Sequence, residues 1–109
     1  MSNANDPLAQ DSAPLATQLP VLSRSLPIIN RKGLHARATA KFVQCVEKYE
    51  ADVTVTRSGE TVGGTSIMGI LTLGAGIGTD ITVTASGPQA EAALDAIAAL
   101  VANRFGEDE

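Results

Sequence analysis

Apolar and polar positions alternate most plainly over residues 52–57 and 81–85. Val53 and Val55 are interleaved with Thr54 and Thr56, and Ile81, Val83 and Ala85 with Thr82 and Thr84. A period of two puts every second side chain on one face, so each run predicts a strand with one buried side. Ser58-Gly59 is a two-residue hairpin signal, which makes Glu60 to Gly63 a shorter returning strand. The run Leu26 to Asn30 predicts the first strand, and because Pro27 cannot donate to a ladder that strand belongs at a sheet edge.

Elsewhere the period is helical. From Ala36 to about Lys48, Thr39, Phe42, Val43, Val46 and Tyr49 recur at helix spacing and leave Arg37, Lys41 and Gln44 towards solvent. Ser66 is placed to cap a short helix in which Ile67, Ile70 and Leu71 share a face and Gly74 closes the end. Gly87-Pro88 opens a last helix with proline at its first position and Glu91 suited to the dipole there. Its buried stripe reads Ala90, Leu94, Ile97, Ala98, Val101 and Phe105, and residues 106–109 follow as a frayed acidic tail. The glycine-rich stretch 74–78 lacks the strand-to-helix setting of a dinucleotide loop and the lysine of a P-loop, so it reads as a flexible turn. The order β-α-β-β-α-β-α predicts an α+β two-layer domain, four strands with three helices on one face.

Composition narrows this. With 109 residues and 44% hydrophobic content the chain suffices for one domain, placed at 26–105, and with only 3% aromatic residues its core must come from Val, Ile, Leu and Ala. Residues 1–25, polar and punctuated by Pro7, Pro14 and Pro20, read as a disordered extension with neither a signal-peptide pattern nor a membrane span. Cys45 is the only cysteine and His35 the only histidine, which excludes an intrachain disulfide and a metal site of the usual soft ligands, and fits the cytoplasm. Cys45, inside the first helix, reads as a small half-buried apolar residue. A net charge of −4 argues against nucleic-acid binding.

The distribution of that charge points to chemistry. No Asp or Glu occurs from Ser12 to Val46, and Arg24, Arg31, Lys32, Arg37 and Lys41, five of the eight Lys and Arg, lie in or near Asn30 to Phe42 around His35. A glycine followed by a helix start leaves outward-pointing N–H groups at the positive end of the helix dipole, a setting suited to anions. A histidine there can hold a phosphoryl group, because its ring nitrogen is nucleophilic near neutral pH and the surrounding donors offset the added charge. A plain helix cap is the competing role for His35.

Gly33-Leu34-His35-Ala36-Arg37, followed by Ser66-Ile67-Met68-Gly69-Ile70 and Leu73-Gly74, resembles the HPr family of phosphocarriers of the bacterial phosphoenolpyruvate-dependent phosphotransferase system. The resemblance spans roughly Leu26 to Arg104. It implies a sheet in order 1-4-2-3 with the last helix between the other two, and a phosphoryl group accepted at the Nδ1 of His35 from enzyme I and passed to an EIIA-type acceptor. Arg37 and the helix start at Ala36 and Arg37 would hold the phosphoryl oxygens, without any cofactor in this chain, although the upstream enzyme uses phosphoenolpyruvate and magnesium. In many relatives the serine matching Ser66 is phosphorylated by a dedicated kinase. Met68, Ile67, Ile70 and Lys41 are candidate docking residues, Met68 foremost, with Ile67 and Ile70 also reading as core.

The chain departs from the family pattern at Ala38, where most members have proline, and along the first helix, where Gln44 and Glu47 replace usual basic residues. These differences incline the reading towards the nitrogen-related, regulatory branch of the system over sugar uptake. The alternative from another class is a non-catalytic module that docks a transcription factor or kinase through Ile67 to Leu71.

Overall fold

A computed structural model describes residues 20–109. Strand β1 (Leu22–Pro27) leads to helix α1 (Ala36–Val46), the hairpin β2 (Asp52–Arg57) and β3 (Glu60–Gly63), helix α2 (Ile67–Thr72), strand β4 (Asp80–Ser86), helix α3 (Ala90–Ala102) and a 3-10 turn over Arg104–Gly106. The strands form one antiparallel sheet in the order β1-β4-β2-β3. This is the expected architecture, with β1 at an edge.

Alternation explains the core. Val53, Val55, Ile81, Val83 and Ala85 point to the helices and are buried, against Phe42, Val43 and Val46 of α1, Ile70 of α2, and Ala90, Leu94, Ile97 and Val101 of α3. The β2–β3 hairpin turns at Ser58 and Gly59, both with positive φ (53° and 82°), the backbone that a two-residue primed turn requires.

Four details differ from expectation. The first strand begins at Leu22, with Leu22 opposite Ala85 and Pro27 opposite Asp80, so residues 22–25 belong to the sheet. Its alternation was hidden because Arg24 occupies an inward-side position, where its guanidinium meets Asp95 of α3 at 2.6 Å. Of the expected extension 1–25, residues 1–19 lie outside the described residues. Pro88 precedes the N-cap Gln89 and so sits outside α3. The last helix is not the middle one: α1 packs against both α2 and α3, because α3 covers β1 and β4 while α2 follows β3 at the opposite edge. Finally, α1 stops at Val46, and residues 47–50 turn into β2.

Ser66 caps α2, accepting the Gly69 N–H at 3.1 Å. Ser66→Ala is expected to lower stability by about 1 kcal/mol, measured by chemical denaturation; an unchanged midpoint would mean that water replaces the cap without cost.

Candidate functional site

The loop between β1 and α1 is held from both sides. Ile28 N–H donates to Thr79 O at 2.8 Å and its carbonyl accepts from Gly78 N–H at 2.9 Å, so the chain stays paired past Pro27. Gly33 then turns with φ +66°, and a Cβ there would stand 2.6 Å from Ala75 O and 2.8 Å from Gly76 Cα. Only glycine fits this approach. The 74–78 segment is thus a docked floor under the loop, and Leu34 N–H donates to Ala75 O at 2.9 Å.

His35 is the N-cap of α1, in extended backbone (φ −75°, ψ −179°), and its carbonyl accepts from Thr39 N–H at 2.9 Å. Its side chain makes no capping bond, so the cap role falls to the backbone and the ring is available for other work. Thr39, fully buried, donates its hydroxyl to Leu34 O at 3.2 Å and locks the first turn. The amides at the start of α1 have no acceptor within the helix.

The imidazole is a quarter exposed, and its Nε2 meets Glu107 Oε2. The other oxygen, Glu107 Oε1, accepts from Asn30 Nδ2 at 3.0 Å, and Asn30 Nδ2 also donates to Gly33 O at 2.8 Å. Around this chain a cavity of about 400 Å³ is lined by Arg31, Lys32, Arg37 and Lys41 on one side and by Gly106, Glu107, Asp108 and Glu109 on the other. The acidic tail is therefore not frayed. Arg31 binds Glu109 twice, main-chain N–H to Glu109 O at 2.7 Å and guanidinium to Glu109 Oε1 at 2.9 Å. The positive charge gathered around His35 attracts it: four cationic side chains face three acidic ones.

A family model described as the PTS HPr component phosphorylation site matches residues 22–103. The chain belongs to the HPr family. Among curated HPr relatives, the phosphocarrier protein HPr of Cupriavidus necator is 47% identical over 89 residues, which is 82% of this chain and all of that protein. The phosphocarrier protein NPr of Shewanella violacea is 40% identical over 86 residues, 79% of this chain and 94% of that protein. Among solved structures, HPr-C-His from Thermoanaerobacter tengcongensis superposes with a TM-score of 0.78 at 35% identity, over 81% of this chain and 99% of that one. HPr from Bacillus anthracis gives 0.72 at 41% identity, over 74% and 96%.

Within this HPr fold the other expected site residues separate. Arg37 is exposed and shares the cavity with Arg31 and Lys32. Lys41 is half-buried and donates to Phe105 O at 2.6 Å, so its ammonium braces the last turn. Ser66 is exposed at the head of α2, beside Met68 (71% exposed) and Ile67 (44% exposed). Ile70 is fully buried and is withdrawn as a docking residue, because it is the residue of α2 that faces the core. Ile67 does the reverse, leaving the core role expected of it. Cys45 is half-buried, its thiol pushed up by burial against the opposing pull of Lys48, which suits a packing role.

Sequence reasoning missed Glu107 and Asn30. Charge complementarity between residues 31–41 and 107–109 was the available signal for Glu107; nothing local marked Asn30. Burial pushes the Glu107 carboxyl up, but hydrogen bonds from Asn30 and His35, with the charges of His35 and Lys32, outweigh it and hold the group below its ordinary 4.5. A carboxyl lowered in the folded state contributes stability that is whole above its unfolded value and lost as pH falls through the folded one. Wild-type protein is thus expected to be more stable than Glu107→Gln at pH 6 and to converge with it as pH falls below about 4. Urea denaturation across that range checks this, and a gap that persists unchanged into strong acid contradicts it.

Proposed function

We propose that this HPr-family chain accepts a phosphoryl group at His35 Nδ1 from the phosphohistidine of enzyme I and passes it to an EIIA-type acceptor of the phosphotransferase system. The observation that carries this is the placement of His35: a partly exposed ring at the first turn of α1, with Nε2 engaged by Glu107 and a basic cavity alongside. Glu107, ionised at neutral pH, can only accept, so the Nε2 that meets it carries a proton and Nδ1 is the nitrogen left for the phosphoryl group. An incoming phosphoryl group would meet the amides of Ala36 and Arg37 and the guanidinium of Arg37. A site this open stabilises the phosphorylated state modestly, which a carrier needs if the next transfer is to proceed. No described helix is long and apolar enough to cross a membrane, and a carrier served by a soluble donor belongs in the cytoplasm.

Ile67 and Met68 form an exposed apolar step beside Ser66, and we assign them to partner docking. Ser66 is exposed at a helix N-terminus, where a phosphate is tolerated by the dipole but adds about two negative charges to that docking step. Its modification by a dedicated HPr kinase/phosphorylase is the regulatory reading, and an ATP-dependent, acid-stable phosphate lost in Ser66→Ala tests it.

The decisive experiment is incubation with enzyme I, magnesium and phosphoenolpyruvate, which is expected to add one acid-labile phosphate. Running sugar-type and nitrogen-type enzyme I side by side identifies the branch. Docking through the Ile67 and Met68 step without any labelling by either donor would favour the non-catalytic module.

A further inference from the structure

The segment after α3 is built with unusual care for a run of charged residues. Arg104, Phe105 and Gly106 all have positive φ (56°, 55° and 78°), a backbone that glycine adopts freely but arginine and phenylalanine rarely do. Three such residues in succession reverse the chain. The reversal is held by Phe105, fully buried in the core, by Lys41 Nζ on Phe105 O at 2.6 Å, and by Glu107 N–H on Arg104 O at 2.9 Å. Its result is to deliver one carboxylate to the ring of His35. Asn30 then fixes that carboxylate from below: it is fully buried, its Nδ2 is shared between Gly33 O and Glu107 Oε1, and its Oδ1 has no partner. A buried amide that spends its donors on one loop carbonyl and one carboxylate, and leaves its own oxygen unsatisfied, is costly unless the placement of that carboxylate matters.

We infer that Glu107 is a positioning residue for phosphoryl transfer through His35, holding the proton on Nε2 so that Nδ1 faces the incoming phosphorus and countering the charge that the ring then acquires. This rests on the carrier reading given above. The balance of the step supplies the reason. As the Nδ1 lone pair forms the new P–N bond, the P–N bond of the donor histidine breaks and its electron pair returns to the donor ring. The Nε2 proton stays where it is, so the phosphorylated ring of His35 becomes a cation. A carboxylate already in contact with Nε2 needs no rearrangement to stabilise it, which is the part that the buried acid plays for the histidine of a Ser-His-Asp triad. In the onward transfer the same contact keeps the ring protonated, and a protonated ring leaves phosphorus more readily than a neutral one. Asp108 and Glu109 do not share this role, since the Glu109 side chain is spent on Arg31 and neither touches the ring.

Rapid-quench transfer from phosphorylated enzyme I to wild type, Glu107→Gln, Glu107→Ala and Glu91→Gln tests the assignment. Glu91, exposed in the first turn of α3, controls for the loss of one negative charge. The limiting transfer rate is expected to fall roughly tenfold or more in both Glu107 variants, with the half-saturating protein concentration within about twofold of wild type and Glu91→Gln unchanged. Proton and nitrogen NMR of the unphosphorylated protein gives a reading that needs no donor: a downfield, exchange-protected Nε2 proton in wild type, lost in Glu107→Gln. A wild-type limiting rate in Glu107→Gln overturns the inference, as does an effect confined to half-saturation or an equal loss in Glu91→Gln. If wild type itself never labels while the Nε2 signal is present, the contact stands and the carrier reading is what fails.

Discussion

His35→Ala is expected to abolish the acid-labile phosphate added by enzyme I and phosphoenolpyruvate, while leaving the fold essentially as it is. The two halves of that outcome have separate physical grounds. Chemically, among the described residues no other imidazole exists, and the other basic side chains lining the cavity are two lysines and two arginines. Structurally, what His35 contributes to the fold comes from its backbone: the carbonyl that accepts from Thr39 and the extended conformation that starts α1. Both survive in alanine. The side chain gives up one bond, to Glu107, which keeps Asn30 as a partner and can turn its free oxygen to water. A loss of about 1 kcal/mol or less is the scale for such a change at a partly exposed position. Labelling by acid-stability assay and unfolding by circular dichroism should therefore dissociate. Label that persists in the alanine protein would place the phosphate elsewhere and end the carrier proposal, and a collapse of the fold would show that the ring is structural.

The local arrangement around His35 was legible in the sequence. Gly33, His35 and Arg37 lie within five residues, and the glycine, cap and cation positions of a helix start are set by local backbone rules that a sequence carries openly. The same holds for Val53 and Val55, for Ile81 to Ala85 and for the Ser58-Gly59 turn. What could not be read was set by pairing between distant segments. Leu22 to Ser25 looked polar because Arg24 takes an inward position that only Asp95, on the last helix, makes acceptable. Residues 107–109 looked like a solvated acidic run because the basic loop that captures them lies more than seventy positions earlier, as in the separation of 72 between His35 and Glu107. Ile67 and Ile70 both fitted the apolar stripe of a helix only six residues long, too short for periodicity to tell its inner face from its outer one. Local pattern reports which residues can be buried; it does not report which far segment arrives to bury or pair them.

Phe105 joins the core to the site, and Phe105→Ala is expected to damage both. The sequence placed it as the last position of the α3 stripe, but the helix ends at Ala102 and Phe105 reaches the interior through the left-handed turn that follows. It is one of two phenylalanines in the chain, both fully buried, in a core otherwise made of aliphatic side chains. Truncating such a residue removes its transfer energy and leaves a cavity, about 3–5 kcal/mol in total. That is a large share of the roughly 5–15 kcal/mol on which a domain stands, and a shift of ten degrees or more in the melting temperature follows for one of this size. The turn suffers further, since alanine keeps the unfavourable positive φ without the buried ring that compensates for it. The contact between Glu107 and His35 should then loosen, and the Nε2 proton signal should weaken along with the stability. Phe105→Leu, which keeps most of the buried volume, is the companion variant: it should lose less stability and retain the signal. A Phe105→Ala protein with wild-type melting and an intact Nε2 signal would show that the left-handed turn holds Glu107 in place without its anchor.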